Sequence, residues 1–392
     1  MKVLYITPLR GGIGHWSRCL IEELDKLADV TLVTFRKKRK EDEDKPFEKI
    51  DDPFILEVID PSRPHYLIEY NNPKTLDETI ELTIKEKPDV VHFIMWAGPQ
   101  ILWFLKEYSR RVRELSIPIV YTLHEVVPHI ATEREKKEFL SSYIYANHLV
   151  VLTQDAKREI ENSDLDIPTT VIPHGNYHAM DKNVVNREKA REIIREKLGI
   201  RISKETNVVG FFGFIRKYKG LIYLIRAAPK VLNRFPNTIF FAAGSVELDE
   251  DPLAYEREIK ALGLEDKFFL YTKYVEGQEF FEAVFKSSDV MVYPYIRISQ
   301  SGAMITTISM KCPVIISEIG SFIKELKEKG VIRTSKPGEP DSIAKEIIWI
   351  LEDKKRAEEL ATYAYKVFED EYSWKRIAQR YLEVYENVIS QR

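Results

Sequence analysis

The sequence predicts an α/β protein with two doubly wound domains that face a central cleft. At 392 residues the chain is too long for one ordinary hydrophobic core. Short apolar runs alternate with amphipathic stretches almost throughout, which is typical of parallel sheets covered by helices. A strand, a glycine-rich turn and a helix open both halves, at 5–17 and at 211–223. Each half therefore matches a Rossmann-like domain, in which ligands bind at the carboxyl ends of the strands.

In the first half, apolar runs bounded by turn residues predict seven strands, and amphipathic stretches between them predict helices. The expected strands are Val3–Thr7, Val30–Phe35, Phe54–Val58, Val90–Ile94, Ile119–Leu123, His148–Leu152 and Thr170–Ile172. The expected helices are Ser17–Leu27, Pro73–Glu86 and Ile101–Leu115.

The α/β pattern breaks at 173–187, where His, Gly and Asn interrupt it, and we place the domain boundary there. The first domain is expected to span 1–178 and the second 179–372. A strongly periodic helix at 373–392 could cover the second domain, but we expect it to pack back on the first.

The second half repeats the alternation of apolar and amphipathic stretches. Its expected strands are Val208–Phe212, Thr238–Ala242, Phe268–Tyr271, Val290–Tyr293 and Val314–Ser317. Its expected helices are Arg187–Leu198, Leu221–Phe235, Pro252–Leu262, Gln278–Ser287 and Pro340–Leu351.

Composition limits the classes of protein to consider. The 59 Lys and Arg nearly balance the 62 Asp and Glu, so no overall basic character points to nucleic acid. Cys19 and Cys312 are too few for a disulfide framework, which favours a reducing compartment. No apolar run reaches the roughly 18 residues of a membrane span, and the N-terminal residues lack the pattern of a signal peptide. We therefore expect a cytoplasmic protein, and its many charged residues suggest a thermophile source.

The turn from Gly213 to Gly220 is the strongest indication of a binding site. It joins an apolar strand to a helix and contains Arg216 and Lys219, three residues apart. Glycines allow the backbone to approach a ligand closely, and a helix N-terminus attracts anions. The turn therefore predicts a clamp for a diphosphate, although a solvated basic turn has the same composition.

A second glycine turn follows the first strand. Gly12 and Gly14 could admit a phosphate, or they could simply form a tight turn. Ser17 stands where the dinucleotide fingerprint has its third glycine, and the second strand ends at Phe35 and Arg36 without an acidic residue. An NAD site is therefore not expected.

Polar residues after two other strands extend the candidate site. His124 and Glu125 end a predicted central strand, where they could face the cleft, although a single His is often structural. His92 lies inside a strand and is expected to be core. Ser299–Gly302 begins a helix after another strand, which predicts either a second anion site or an ordinary Ser N-cap.

No metal motif is convincing. The Asp-x-Asp pairs at 42–44 and 249–251 match a spacing that holds a metal in some sugar-nucleotide enzymes, but both lie in charged loops away from the glycine turns. No resident metal or cofactor is expected.

Together these motifs resemble the retaining glycosyltransferases of family 4, which have the two-domain GT-B fold. The match covers nearly the whole chain. The resembling segments are Gly11–Gly14, Pro88–His92, Thr122–Glu125, Val171–Asn176, Gly213–Gly220, Ser299–Gly302, Pro313–Ile315 and Ser373–Trp374. Each segment is short and weak evidence alone. Their shared order along the chain makes the resemblance to the family specific.

The resemblance implies transfer of a sugar from a nucleoside-diphosphate sugar, with retention at the anomeric carbon. Arg216 and Lys219 would stabilise the leaving diphosphate, and His124 would position the donor sugar. Gly12, Gly14 and Gly213 would admit the phosphates. The resemblance further implies that the backbone amides of Gln300, Ser301 and Gly302 face the phosphate and sugar, with Glu125, Tyr274 and Thr306 as further contacts, and that the domains close about 173–176.

One departure from the family bears on the donor. The family usually carries a pair of glutamates before the Pro313 strand, and Ile298 and Thr306 stand near their places. A nucleotide-sugar-binding protein without catalysis is therefore one alternative, and a sugar-nucleotide epimerase of the same architecture is another.

The acceptor cannot be read from the sequence and could be a glycan, a lipid or a small molecule. Basic stretches at 37–40 and 106–113 could contact an anionic membrane surface that carries a lipid-linked acceptor, or they could be solvated faces. Salt-sensitive binding to anionic vesicles distinguishes these two interpretations.

Overall fold

The computed structural model describes residues 1–36, 49–69, 72–95, 101–128, 131–246, 251–298 and 300–391. The chain forms two compact units. The first unit comprises Met1–Gly175 and Tyr372–Arg392, and the second comprises Asn176–Glu371. Each unit is built on one parallel β-sheet, which confirms the predicted α/β class.

The sheet of the first unit has seven strands, in the order β3-β2-β1-β4-β5-β6-β7. The strands are β1 Lys2–Ile6, β2 Asp29–Phe35, β3 His65–Ile68, β4 Val90–Met95, β5 Ile119–Leu123, β6 His148–Val151 and β7 Thr169–Val171. The helices are α1 Gly11–Leu24, α2 Pro53–Leu56, α3 Pro73–Glu86, α4 Leu102–Glu114, α5 Glu133–Ser142 and α6 Gln154–Glu161.

The sheet of the second unit has six strands, in the order β10-β9-β8-β11-β12-β13. The strands are β8 Asn207–Phe212, β9 Thr238–Ala243, β10 Phe268–Tyr271, β11 Val290–Tyr293, β12 Val314–Ser317 and β13 Arg333–Ser335. The helices are α7 Arg187–Leu198, α8 Leu221–Arg234, α9 Pro252–Ala261, α10 Gln278–Lys286, α11 Gly302–Ser309, α12 Gly320–Glu328, α13 Pro340–Glu352 and α14 Lys354–Glu371.

The last helix, α15 (Trp374–Ser390), belongs to the first unit, where it packs on α1 and β4. The hydroxyl of Tyr381 is 3.0 Å from that of Thr122, and the hydroxyl of Tyr385 is 2.6 Å from Nδ1 of His92. Nε2 of His92 lies 2.7 Å from Oγ1 of Thr122. Both ring nitrogens of this buried histidine are therefore bonded, which confirms it as a core residue.

The prediction of a strand at Phe54–Val58 is wrong, since Pro53–Leu56 forms helix α2. Asp52 accepts hydrogen bonds from the amides of Phe54 and Ile55, and Pro53 occupies the first helical position. Asp followed by Pro is a helix start, and this signal overrides the short apolar run. The strand that pairs with β2 is His65–Ile68 instead.

In each sheet, the strand order reverses beside the strand that opens the unit. The reversal lies between β1 and β4 in the first unit and between β8 and β11 in the second. Loops on opposite sides of such a switch point leave a crevice at the carboxyl edge of the sheet. The glycine turns after β1 and β8 both lie at these switch points.

Candidate functional site

Two strand-end loops pack tightly at the carboxyl edge of the second sheet. The amide of Gly213 donates to the carbonyl of Ala243 (3.0 Å), and the amide of Ile215 donates to that of Ser245 (2.8 Å). Gly213 has a φ of +120° and Gly244 has a φ of +150°, and a Cβ on Gly244 would overlap the carbonyl of Gly213. Both positions therefore favour glycine.

A third loop follows β11, and it contacts the glycine turn after β8 across the switch point. The amide of Ile296 donates to the carbonyl of Tyr218 (2.8 Å). Gly220 has a φ of +66°, and a Cβ there would overlap the carbonyl oxygen of Pro294. The glycine turn after β8 is thus held against the loop that leads into α11.

Lys219 points toward the space between these loops. Its Nζ would lie 3.2 Å from a Cβ placed on Gly213 and is 5.5 Å from the ring centroid of Tyr295. Cβ of Ala303, in the first turn of α11, is 3.9 Å from the same Gly213 position. The ammonium group and the start of α11 therefore lie on the same side of Gly213. Arg216 immediately precedes the 3-10 turn Lys217–Lys219.

Helix α11 starts at the edge of this space. Oγ of Ser301 accepts a hydrogen bond from the amide of Met304 (3.1 Å), so Ser301 is an N-cap, and its Oγ is 3.3 Å from the hydroxyl of Tyr295. The amides of Gly302 and Ala303 precede the first intrahelical hydrogen bond. They are suited to a bound anion, because the helix N-terminus carries a partial positive charge. Gln300 precedes the cap, and Ser299 lies outside the described residues.

Replacing Gly220 by alanine should lower the stability of the second unit by clearly more than the ~1–2 kcal/mol of left-handed strain, because the new Cβ also meets Pro294. Gly263→Ala is the matched control, since Gly263 has a φ of +62° and no described atom lies within 4 Å of its Cβ position. Urea midpoints measure both variants. Equal losses would contradict the close packing of the two loops.

Thr306 and Tyr274, which are both predicted as further contacts, differ in their exposure to solvent. Thr306 is buried, and its hydroxyl donates to the carbonyl of Gly302 (2.9 Å) in its own helix. Tyr274 follows β10 and is 59% exposed, and β9 separates β10 from β8.

In the first unit, the two predicted glycines have different roles. A Cβ on Gly14 would lie 2.8 Å from both Cδ1 of Ile55 and the carbonyl carbon of Leu9, so this glycine serves close packing. No other atom of the described residues lies within 4 Å of a Cβ on Gly12. Helix α1 begins at Gly11, earlier than predicted, so this segment forms the first turn of the helix. Among the described residues, Gly12 therefore has more space around its Cβ position than Gly14.

His124 lies directly after β5, with Glu125 half-buried beside it. Its ring is 4.8 Å from that of Trp16, in an edge-to-face arrangement. Its Nε2 is buried and has no hydrogen-bond partner among the residues the structure describes. Burial and the nearby His174 lower the pKa of His124 to about 3. At neutral pH, the ring is therefore uncharged and offers a polar atom that no described residue bonds.

The remaining predictions concern metals and membranes. In the described ranges, no three His, Cys, Asp or Glu side chains come close enough to hold a metal ion, and no helix could cross a membrane. Asp251 caps α9, whereas Asp42, Asp44, Asp249 and the basic residues 37–40 lie outside those ranges. On α4, Arg110 and Arg111 pair with carboxylates, which favours a solvated face.

Two family models match the chain, one to each half. Glycosyltransferase Family 4 matches residues 10–176, and Glycosyl transferases group 1 matches residues 190–367. The chain belongs to the family 4 glycosyltransferases. An uncharacterized glycosyltransferase of Methanocaldococcus jannaschii is 25% identical over 353 residues, 86% of either chain. A D-inositol 3-phosphate glycosyltransferase of Corynebacterium urealyticum is 23% identical over 316 residues, 76% of this chain and 72% of its own.

Solved structures agree with this assignment at the level of the fold. HepE of Anabaena, solved in complex with UDP, superimposes with a TM-score of 0.75 at 16% identity, over 99% of this chain and 100% of its own. A second structure of HepE contains UDP-glucose. This glycosyltransferase therefore has the GT-B fold.

Sequence reasoning missed two residues of the candidate site. Tyr295 lies beside Lys219, and Gly244 supports the backbone of Gly213. Gly244 could have been found, because it is a glycine directly after an apolar strand. Tyr295 had no comparable signal, since its contact depends on β8 and β11 being neighbours.

Proposed function

We propose that this glycosyltransferase moves a sugar from a nucleoside-diphosphate sugar to an acceptor, with retention at the anomeric carbon. The observation that carries the proposal is the position of the Lys219 ammonium and the start of α11 on the same side of Gly213. One cation and one helix N-terminus at a topological switch point are suited to a diphosphate.

In the proposed reaction, the bond between the anomeric carbon and the donor phosphate oxygen breaks, and a bond to the acceptor oxygen forms on the same face. The acceptor proton passes to a donor phosphate oxygen. Negative charge grows on the leaving diphosphate, so Lys219 and Arg216 stabilise the transition state more than the ground state. The amides of Gly302 and Ala303 add a fixed partial positive charge.

We assign His124 a role in binding a sugar hydroxyl. Nε2 of this uncharged ring is buried and has no partner in the described part of the chain, so it incurs a desolvation cost that a ligand hydroxyl would remove. Gly12 has no described atom near its Cβ position, whereas Gly14 is closely packed, so Gly12 is the better candidate of the two for contact with a phosphate.

We infer that the donor is a uridine diphosphate sugar, because the structural neighbour HepE was solved with UDP and with UDP-glucose. The contact to the ribose stays unassigned. Thr306 is near the position of the second family glutamate, and its hydroxyl is already bonded within α11.

Binding of a nucleotide sugar without transfer is the second candidate, favoured by Ile298 and Thr306 at the glutamate positions. An epimerase of the same architecture would convert the donor without any acceptor. Incubating the protein with UDP-glucose, with and without a panel of sugar and lipid acceptors, separates the three. NMR of the product gives the anomeric configuration, and an inverted product would contradict the retaining mechanism.

Donor binding is testable without knowing the acceptor. UDP at a hundred times its dissociation constant should stabilise the second unit by about 2.7 kcal/mol. GDP, ADP and dTDP are the controls for the base. A thermal shift with UDP that Lys219→Ala weakens is the expected result. No shift with any of the four nucleotides would contradict the proposed donor site.

A further inference from the structure

A second polar cavity lies in the second unit, at the opposite edge of its sheet. It has a volume of about 250 Å³ and is bordered by Ser288 and Asp289 before β11, and by Cys312 and Pro313 before β12. Strand starts define the amino edge, so this cavity is separated from the donor site by roughly 13 Å, the length of four residues in a strand. The volume corresponds to about eight water molecules at ~30 Å³ each, enough for a small phosphate ester.

Cations outnumber carboxylates on one wall of this cavity. Asp289 is 4% exposed, and its oxygens accept from Arg187 (2.7 Å), Lys354 (2.9 Å) and Arg191 (3.3 Å). The amide of Val208 also donates to it (2.8 Å). One carboxylate therefore faces three cations, and Arg187 and Lys354 also border the cavity. Asp289 and these three cationic partners together carry a net positive charge.

Lys311 is a further cation that borders the cavity. Its ammonium group lies 4.4 Å from the ring centroid of Tyr365, and within the described part of the chain no carboxylate pairs with it. Its backbone has a φ of +53°, a left-handed conformation that favours glycine at the end of a helix. A lysine kept where glycine would be less strained is a candidate functional residue.

The negative groups near the cavity do not cancel this surplus. Glu358 borders the cavity as a single carboxylate. Lys286 also borders it, but it is balanced by Asp181 (2.7 Å) and Glu282 (2.9 Å). Glu282 additionally accepts hydrogen bonds from three backbone amides of the segment before α7. The charge left over comes from Arg187, Lys354 and Lys311.

We propose that this cavity binds the phosphate group of a small metabolite, distinct from the sugar donor, with Arg187, Lys311 and Lys354 as its cationic ligands. Guanidinium and ammonium groups form strong charge-assisted hydrogen bonds with phosphate oxygens. A purely structural role would explain the ion pairs of Asp289 but not Lys311, whose ammonium group contacts the ring of Tyr365 and no carboxylate of the described residues. The proposal is independent of the donor site, since no residue of the glycine turn borders the cavity.

Calorimetric titration of the whole protein with inorganic phosphate and with glycerol 3-phosphate tests the site. Phosphate should bind in the presence of saturating UDP. Lys311→Met should weaken it about tenfold, the usual effect of losing one charged hydrogen bond. Lys324→Met, which removes an exposed lysine on α12, is the matched control and should bind phosphate normally. Tighter binding of either anion supports the site and identifies whether the ion or its ester is preferred.

Lys311→Gly separates binding from folding. Glycine relieves the left-handed strain, so this variant should unfold at a higher temperature than the wild type and still lose phosphate affinity. Phosphate binding unchanged in Lys311→Met or Lys311→Gly would overturn the proposal. So would the absence of phosphate binding, or complete competition between phosphate and UDP.

Discussion

Replacing Lys219 by alanine is expected to lower the turnover number about a hundredfold, which is the usual scale for removing one group that stabilises developing charge. The ammonium group of Lys219 lies at the switch point beside Gly213 and close to the first turn of α11. In the proposed reaction, this is where the charge of the leaving diphosphate grows. Initial rates with saturating donor measure the effect. Lys219→Arg should recover only part of the rate, because a planar guanidinium does not replace a compact ammonium group.

Lys217→Ala is the matched control for this prediction. Lys217 lies in the same 3-10 turn and its removal changes the net charge equally, but its side chain is exposed. Its turnover should stay near that of the wild type. Equal losses in the two variants would mean that the effect is one of overall charge. Near-normal turnover in Lys219→Ala would contradict the diphosphate clamp.

The fold was predictable where the sequence signals were local. Helices such as Pro73–Glu86 and Arg187–Leu198 and the strand Phe268–Tyr271 match the predicted bounds, because periodicity and capping residues agree there. The short strand β13 (Arg333–Ser335) was missed, since three residues at a sheet edge leave too little pattern to detect. Asp52 and Pro53 show the opposite case, in which a capping signal was present but the apolar run was given more weight.

The candidate site was predictable in its loops but not in its contacts. The turn from Gly213 to Gly220 and the start of α11 at Ser301 could be recognised as separate anion-binding segments. That they meet depends on β8 lying next to β11, which is a property of the strand order. Gly14 illustrates a second limit: a glycine needed for packing against Ile55 looks the same in sequence as one that admits a ligand.

Lowering the pH from 7 to 5 should reduce the free energy of unfolding of the first unit by about 6 kcal/mol, roughly 2 kcal/mol for each of His92, His124 and His174. Burial lowers the pKa of His92 and His124 to about 3 and that of His174 to about 4. In the unfolded chain, these rings titrate near 6.5. Below that pH the unfolded state binds protons that the folded state does not, so stability is lost as the pH falls from 6.5 toward 4.

Urea unfolding at pH 7, 6 and 5 measures this loss. Carboxylates contribute little in that window, because they titrate near pH 4 in the unfolded chain. His92→Gln should be less stable at pH 7, since it disturbs the hydrogen bonds to Thr122 and Tyr385, but its pH dependence should be about one third weaker. His65→Gln removes an exposed ring on β3 and is the matched control. If His92→Gln keeps the full pH dependence, the buried ring of His92 is not held neutral, and the acid sensitivity of the first unit has another origin.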